Sequence, residues 1–225
     1  MIPKKIHSFW YGDTKLHDLL KKCIKSWSMY NPSYEIKVWE QDDYPESRFF
    51  NEAKSKKLYR KMSNYSRLKK LYDQGGIYLD TDIQLLKPLD KFLKHNFFVG
   101  SQGDSHLEHY VNNAVIGCVP KHPAIKELIE KIENASVEND KDFSSGPELL
   151  TAFMKEKGFN FPITNTVEIG NMTLYPSSYF YPFSWLKQNE PINSFIKSNT
   201  YSIHWWWSEL VTYEDPTFRH LQELQ

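Results

Sequence analysis

The chain has 225 residues, 40% apolar and 25% charged, enough to bury one large core and too many for a disulfide-stapled scaffold. Lys plus Arg and Asp plus Glu number 28 each, so the formal charge is zero and nothing in the bulk electrostatics calls for nucleic acid. No run approaches the roughly 20 apolar residues of a membrane span, and the polar start Met1-Ile2-Pro3-Lys4-Lys5 does not read as a secretion signal, so a cytoplasmic protein is expected.

In chain order, Ile6 to Trp10 reads as a strand closed by Gly12-Asp13. Leu16, Leu19, Leu20, Cys23, Ile24 and Trp27 then recur at steps of three and four, which is one face of a helix. Asn31-Pro32-Ser33 stops that helix, and Tyr34 to Trp39 alternates as a second strand, giving the β-α-β opening typical of parallel sheets. Beyond Pro45 comes a Lys- and Phe-rich helical region, then a clearer helix from Lys61 to Gln74 ended by Gly75. Ile77-Tyr78-Leu79 enters a buried strand, and Asp80-Thr81-Asp82 lies at its end.

Further strands are expected at Phe97 to Gly100 and Ala114 to Val119, with helices around Ile125 to Ile132 and from Ser145-Gly146-Pro147-Glu148 onward. The last quarter is rich in aromatics and Pro, ending in His204-Trp205-Trp206-Trp207-Ser208. No repeat or linker divides the chain, so residues 1–225 are expected to form a single α/β domain with an irregular C-terminal lobe. Cys23 and Cys118 lack metal or redox spacing and are expected to be buried thiols. The remaining histidines, His7, His95 and His122 among them, read as surface or satisfied core positions. The lysines at 21, 22 and 25 and from 54 to 61 read as solvated helix faces that leave room for peripheral contact with anionic lipid.

The chemistry centres on Asp80 and Asp82. Spacing alone is weak, since 12 Asp in this length give roughly 0.6 Asp-x-Asp pairs by chance, and Asp140-Lys141-Asp142 is such a pair in a polar loop. Position distinguishes the first pair: it follows Gly75-Gly76-Ile77-Tyr78-Leu79 at the carboxyl end of a strand, where open α/β sheets bind ligands. Two carboxylates there need a cation, and oxygen ligands favour Mg²⁺ or Mn²⁺, which in turn hold phosphate oxygens. Asn64 and Arg67 share a helix face that the Gly75-Gly76 turn brings back toward the acids. With only 4 Arg against 24 Lys, a forked phosphate or sugar ligand at Arg67 carries weight.

These residues give the chain a resemblance to glycosyltransferase family 32, the DxD sugar transferases that include yeast Golgi mannosyltransferases and bacterial capsular-polysaccharide transferases, with the clostridial glucosylating toxins as distant relatives. The resemblance rests on Ile2 to Trp10, Ser63-Asn64-Tyr65-Ser66-Arg67-Leu68, Gly75 to Asp82, Lys87-Pro88-Leu89 and Asn112-Asn113-Ala114. More faintly, it runs through Gly146-Pro147, Tyr179 to Pro182 and Ile203-His204.

It implies a GT-A fold with a mostly parallel sheet, a nucleotide-sugar donor (UDP ahead of GDP), Mn²⁺ or Mg²⁺, and retention of anomeric configuration. The implied acceptor is an oligosaccharide or lipid-linked saccharide in capsular or other surface-polysaccharide synthesis. Trp10 matches a residue stacking on the base. Ser63, Asn64, Arg67, Tyr78 and Asp80 match residues around the donor sugar and ribose, and Asn113 matches a position facing the transferred sugar. Asp82, with Asp80 and His204, matches the metal site, and Trp207 and Ser208 match a segment closing over the diphosphate. Asn64 stands where the family usually has Asp, which opens a second expectation: a degenerate fold that binds sugar nucleotide without turnover. An Asp-x-Asp phosphatase is a third reading, disfavoured because that motif normally opens the chain and is followed by Thr or Val where Gln84 stands.

Overall fold

The computed structural model describes residues 1–11, 15–40, 47–103, 111–137, 146–184, 187 and 190–206. Its centre is a seven-stranded mixed sheet in the order β2-β1-β3-β6-β5-β8-β7. The strands are β1 (Lys5–Phe9), β2 (Glu35–Trp39), β3 (Gly76–Leu79), β5 (Phe97–Ser101), β6 (Val111–Cys118), β7 (Val167–Ile169) and β8 (Met172–Tyr175). β1 runs parallel to β2 and β3, and β5 parallel to β8. β6 is wedged antiparallel between β3 and β5, and β7 returns antiparallel along β8. A separate two-stranded ribbon joins β4 (Ile83–Leu85) to β9 (Ser202–His204).

Side-chain alternation along the strands splits the core between the two faces of the sheet. From β3 and β5, Tyr78, Phe97 and Val99 enter one apolar cluster, whereas Ile77, Leu79 and Phe98 enter the other. The first face is covered by α2 (Arg48–Ser55), α3 (Tyr59–Gln74), α4 (Pro123–Glu133) and α5 (Gly146–Glu156). On the second face, α1 (Asp18–Tyr30) packs against β4, with buried Trp27 donating through Nε1 to the Ile83 carbonyl at 2.7 Å.

Local sequence explains the element boundaries. Ser47 caps α2 by accepting from the Phe50 amide at 3.0 Å, and Pro123 opens α4 behind a His122 cap. α3 begins at Tyr59, two residues before the sequence pattern suggested, and ends at Gly75. Gly75 has φ 64°, and a Cβ there would lie 2.7 Å from the Pro120 backbone nitrogen, so only glycine makes this turn into β3. Cys23 and Cys118 are free and buried, as expected. His7 is a satisfied core residue: it accepts from Trp39 Nε1 at 3.2 Å and bonds the Gly75 carbonyl at 3.0 Å. Burial lowers its pKa to about 4. Among the described residues no helix is long and apolar enough to cross a membrane.

Candidate active site

Because β1 and β3 are parallel, their carboxyl ends meet at one edge of the sheet, and Trp10 and Asp80 emerge there side by side. Antiparallel β6 begins at the same edge. Its register against β5 jumps from Val99↔Ile116 to Gly100↔Asn112, a bulge that leaves residues 113–115 unpaired with β5 while Val115 stays opposite Leu79 of β3. Asn112 and Asn113, which a regular strand would aim at opposite faces, both line the pocket that opens at this edge. The pocket has a volume of about 520 Å³.

Asp80 leaves β3 with its amide held by the Ala114 carbonyl at 2.9 Å, and its own carbonyl accepts from the Ile83 amide at 3.0 Å, closing a tight turn over Asp80-Thr81-Asp82. That turn feeds β4, whose partner β9 places His204 opposite Ile83. His204 Nε2 therefore lies 3.2 Å from Asp82 Oδ2, and the Trp205 amide donates to the Asp82 carbonyl at 3.1 Å. Asp80, Asp82 and His204 each offer one ligand atom, all within 4.8 Å of one another.

Burial opposes charge on His204, but the charge and hydrogen bond of Asp82, reinforced by Asp80, outweigh it and raise its pKa above the ordinary value. His204 is packed against Trp206, ring centroids 4.0 Å apart, and its buried Nδ1 has no hydrogen-bond partner among the described residues. Trp206 itself takes φ 53° and donates Nε1 to the Phe183 carbonyl at 2.8 Å. Two carboxylates and one imidazole, with ligand atoms this close together, could hold a divalent cation.

Arg67, on the α3 face predicted to approach the acids, is 4% exposed and spends its fork on four groups. Nη2 lies 3.2 Å from Asp80 Oδ1 and donates to Ser63 Oγ at 3.0 Å. Nη1 donates to the Asn113 carbonyl at 2.8 Å, and Nε to the Ser63 carbonyl at 3.2 Å. The guanidinium also lies over the Tyr78 ring, 4.3 Å from its centroid. Tyr78 is buried behind the pocket; burial raises its pKa, so the phenol stays protonated and donates to Asp80 Oδ1 at 2.6 Å. Beside Arg67, Asn113 Nδ2 donates to Asn64 Oδ1 at 3.0 Å.

Of the residues named from sequence, the pocket gathers Trp10, Ser63, Asn64, Arg67, Asp80, Asp82, Asn113 and His204, with Tyr78 one layer beneath. Trp207 and Ser208 lie outside the described residues. Sequence reasoning did not find Phe9, Tyr11, Tyr59, Arg60, Gln102 or Glu148 in the wall. The β-α-β pattern placed Phe9 and Tyr11 near a strand end, and Gly146-Pro147 marked a helix start, but nothing in the chain says that this helix start faces Asp80.

Residues 17–99 match the family described as the glycosyltransferase sugar-binding region containing DXD motif. A glycosyltransferase of Acanthamoeba polyphaga mimivirus is 26% identical over 193 residues, 80% of this chain and 75% of that protein. Human alpha-1,4-N-acetylglucosaminyltransferase is 27% identical over 153 residues, covering 64% of this chain and 42% of the human protein. Inositol phosphoceramide mannosyltransferase 3 of Schizosaccharomyces pombe is 28% identical over 142 residues, 58% of this chain and 37% of that protein. The chain thus spans three quarters of the viral relative and under half of the other two. Among solved structures, the PaToxG glycosyltransferase superposes with a TM-score of 0.57 at 18% identity over 70% of each chain, which supports the fold. Over residues 17–99, which include its Asp-x-Asp turn, the chain is similar to the DXD-containing sugar-binding region of glycosyltransferases, and its fold is similar to that of a solved glycosyltransferase.

Proposed function

We propose that this chain is one catalytic unit that moves a sugar, with retention, from a nucleoside diphosphate donor to a saccharide hydroxyl, using Mn²⁺ or Mg²⁺. UDP is the favoured carrier and a surface polysaccharide the favoured product. The observation that carries the reading is the grouping of Asp80, Asp82 and His204 within 4.8 Å in a pocket that also holds an aromatic wall and a buried arginine. Asp82, Asp80 and His204 would hold the cation, which when bound neutralises a diphosphate and acts as a Lewis acid on it.

The chain's own residues supply the rest of the reading. Trp10, at the end of β1, offers a ring face to the base. Arg67 fixes the Asn113 backbone and Asp80 together, so that the wall facing the transferred sugar is rigid before substrate arrives. A single hydrogen bond joins Asn64 and Asn113, so whichever way the pair is turned it presents to that sugar one carbonyl and amide N–H donors from both side chains. In the transfer, the acceptor oxygen bonds to the anomeric carbon while the bond from that carbon to the diphosphate breaks. The electron pair leaves with the diphosphate, and the acceptor's proton passes to it. No described carboxylate other than Asp80, Asp82 and Glu148 lines the pocket, and the first two are engaged with Arg67 and His204, which favours attack from the leaving-group side over a covalent intermediate.

The neutral Asn64–Asn113 pair favours one competing reading, binding of sugar nucleotide without turnover. Incubation with a panel of UDP- and GDP-sugars plus Mn²⁺ separates the two, because slow donor hydrolysis needs no known acceptor. Mn²⁺-dependent release of sugar from one donor supports the transferase, and saturable binding without release across the panel supports the degenerate fold.

A further inference from the structure

At the edge of the sheet that carries the Asp-x-Asp turn, the pocket follows the strand order β1-β3-β6-β5. Trp10 follows β1, Asp80 follows β3, Asn112 and Asn113 lie in the first turn of the β6 ladder, and Gln102 follows β5; all five line the pocket. A donor with its base on Trp10, its diphosphate at Asp80 and its transferred sugar at Asn113 occupies the first three strands. Gln102 stands one strand further on, a spacing of about 4.8 Å. Its orientation is set by the fold. Asn112, 3% exposed, accepts from the Ala114 amide through Oδ1 at 2.7 Å, so its other side-chain atom is the amino nitrogen, which donates to Gln102 Oε1 at 2.6 Å. Gln102 therefore turns its amino group outward, and neither of those N–H groups has a partner among the described residues.

We infer that Gln102 determines donor specificity, selecting a sugar that carries an acetamido group by donating a hydrogen bond to that group's carbonyl oxygen. This rests on the donor placement proposed above. A hydroxyl on a ring that contacts Asn113 ends one bond from the ring, short of the next strand, whereas an acetamido carbonyl oxygen lies two bonds further out. The polarity also matches: a hydroxyl brings a hydrogen of its own to a group that is already a donor, and an amide carbonyl only accepts. A uronate carboxylate shares that acceptor-only chemistry, but carboxylates are met best by an arginine fork. The fork of Arg67 is engaged by Ser63, Asn113 and Asp80, and Arg60 enters the pocket from α3, not from the sheet edge. A site that donates to a substituent rejects the analogue lacking it because the donor is left unpaired. Gln102 is only half-buried, so water repairs part of that loss, and the discrimination expected is about tenfold, well below the limit for a dry site.

The test uses the full chain with Mn²⁺ and donors that differ only at one substituent: UDP-N-acetylglucosamine against UDP-glucose, and UDP-N-acetylgalactosamine against UDP-galactose, with UDP-glucuronic acid as the carboxylate arm. Affinity by calorimetry and kcat/KM for hydrolysis are both read. In at least one pair, wild type is expected to favour the acetamido donor at least tenfold in affinity. Gln102→Glu preserves an oxygen that accepts from Asn112 and turns a second acceptor outward, and Gln102→Ala removes the side chain. Both are expected to bring that preference to within twofold of one, a ratio that a general loss of folding or of donor binding would not move. Retention of the preference within twofold of wild type in both variants overturns the assignment. So does a wild-type preference for the plain hexose or the uronate, which leaves the transferase reading standing. An acetamido preference in binding with no hydrolysis of any donor defeats the transferase reading and leaves the role of Gln102 in place. Absence of saturable binding of any UDP-sugar defeats the donor placement, and this inference with it.

Discussion

His204 Nε2 lies 3.2 Å from Asp82 Oδ2, although the two residues are far apart in the chain. The contact is a consequence of strand pairing: Ile83, which follows Asp82, faces His204 across the β4–β9 ribbon, and the Trp205 amide fastens to the Asp82 carbonyl at 3.1 Å. The ribbon thus does for the Asp80–Asp82–His204 cluster what the Gly75 turn does for Arg67. Each brings a distant segment onto the end of β3.

Arg67→Lys keeps the charge and loses the fork that joins Ser63, Asn113 and Asp80. The expected outcome is a fall in kcat/KM for the donor of about 100-fold, the range found when a fixed transition-state donor is removed. Steady-state donor hydrolysis checks it, with circular dichroism confirming that the variant folds.

Gly146→Ala drives a methyl group into Asn113 and, at 2.8 Å, into Asn64 Oδ1. Such overpacking costs about 1–3 kcal/mol, and here the strain falls on the Asn64–Asn113 amide pair proposed to face the transferred sugar. The donor KM is expected to rise on the order of tenfold while binding of free UDP changes little. Parallel titrations of UDP and of the UDP-sugar separate the two effects.

His7 supplies a pH-dependent share of stability. Burial is the largest influence on it and lowers its pKa from 6.5 to about 4, so the unfolded chain binds its proton more readily than the folded one. Stability from this group is full above pH 6.5, falls as pH drops from there toward 4, and is level below that. The shift corresponds to about 3 kcal/mol. Urea unfolding between pH 7.5 and 4.5 is expected to show a shallower pH dependence in His7→Asn than in wild type, whatever the absolute stability of the variant.

Much of the sheet edge was legible before the structure. The alternation of β1 and β2, the α3 face carrying Asn64 and Arg67, and the Gly75-Gly76 turn are local patterns, and local patterns survive folding. The antiparallel insertion of β6 was not legible. A buried strand such as Val111–Cys118 reads the same in either direction, and its bulge, which turns both Asn112 and Asn113 inward, is fixed by pairing with β5. Glu148 was missed for a similar reason: an exposed acid in the first turn of a helix is the commonest place to find one, and only the contact of Gly146 with Asn113 reveals which way that turn faces.

Asp80, Asp82 and His204 are proposed to form one cation site serving a nucleoside diphosphate. Calorimetric titration of Mn²⁺ into the protein with saturating UDP tests it most directly. Wild type is expected to bind one Mn²⁺ per chain, and Asp82→Ala and His204→Ala to weaken that binding at least tenfold with the fold intact. Unchanged Mn²⁺ affinity in the folded Asp82→Ala protein, or no UDP-dependent Mn²⁺ binding by wild type, would contradict it.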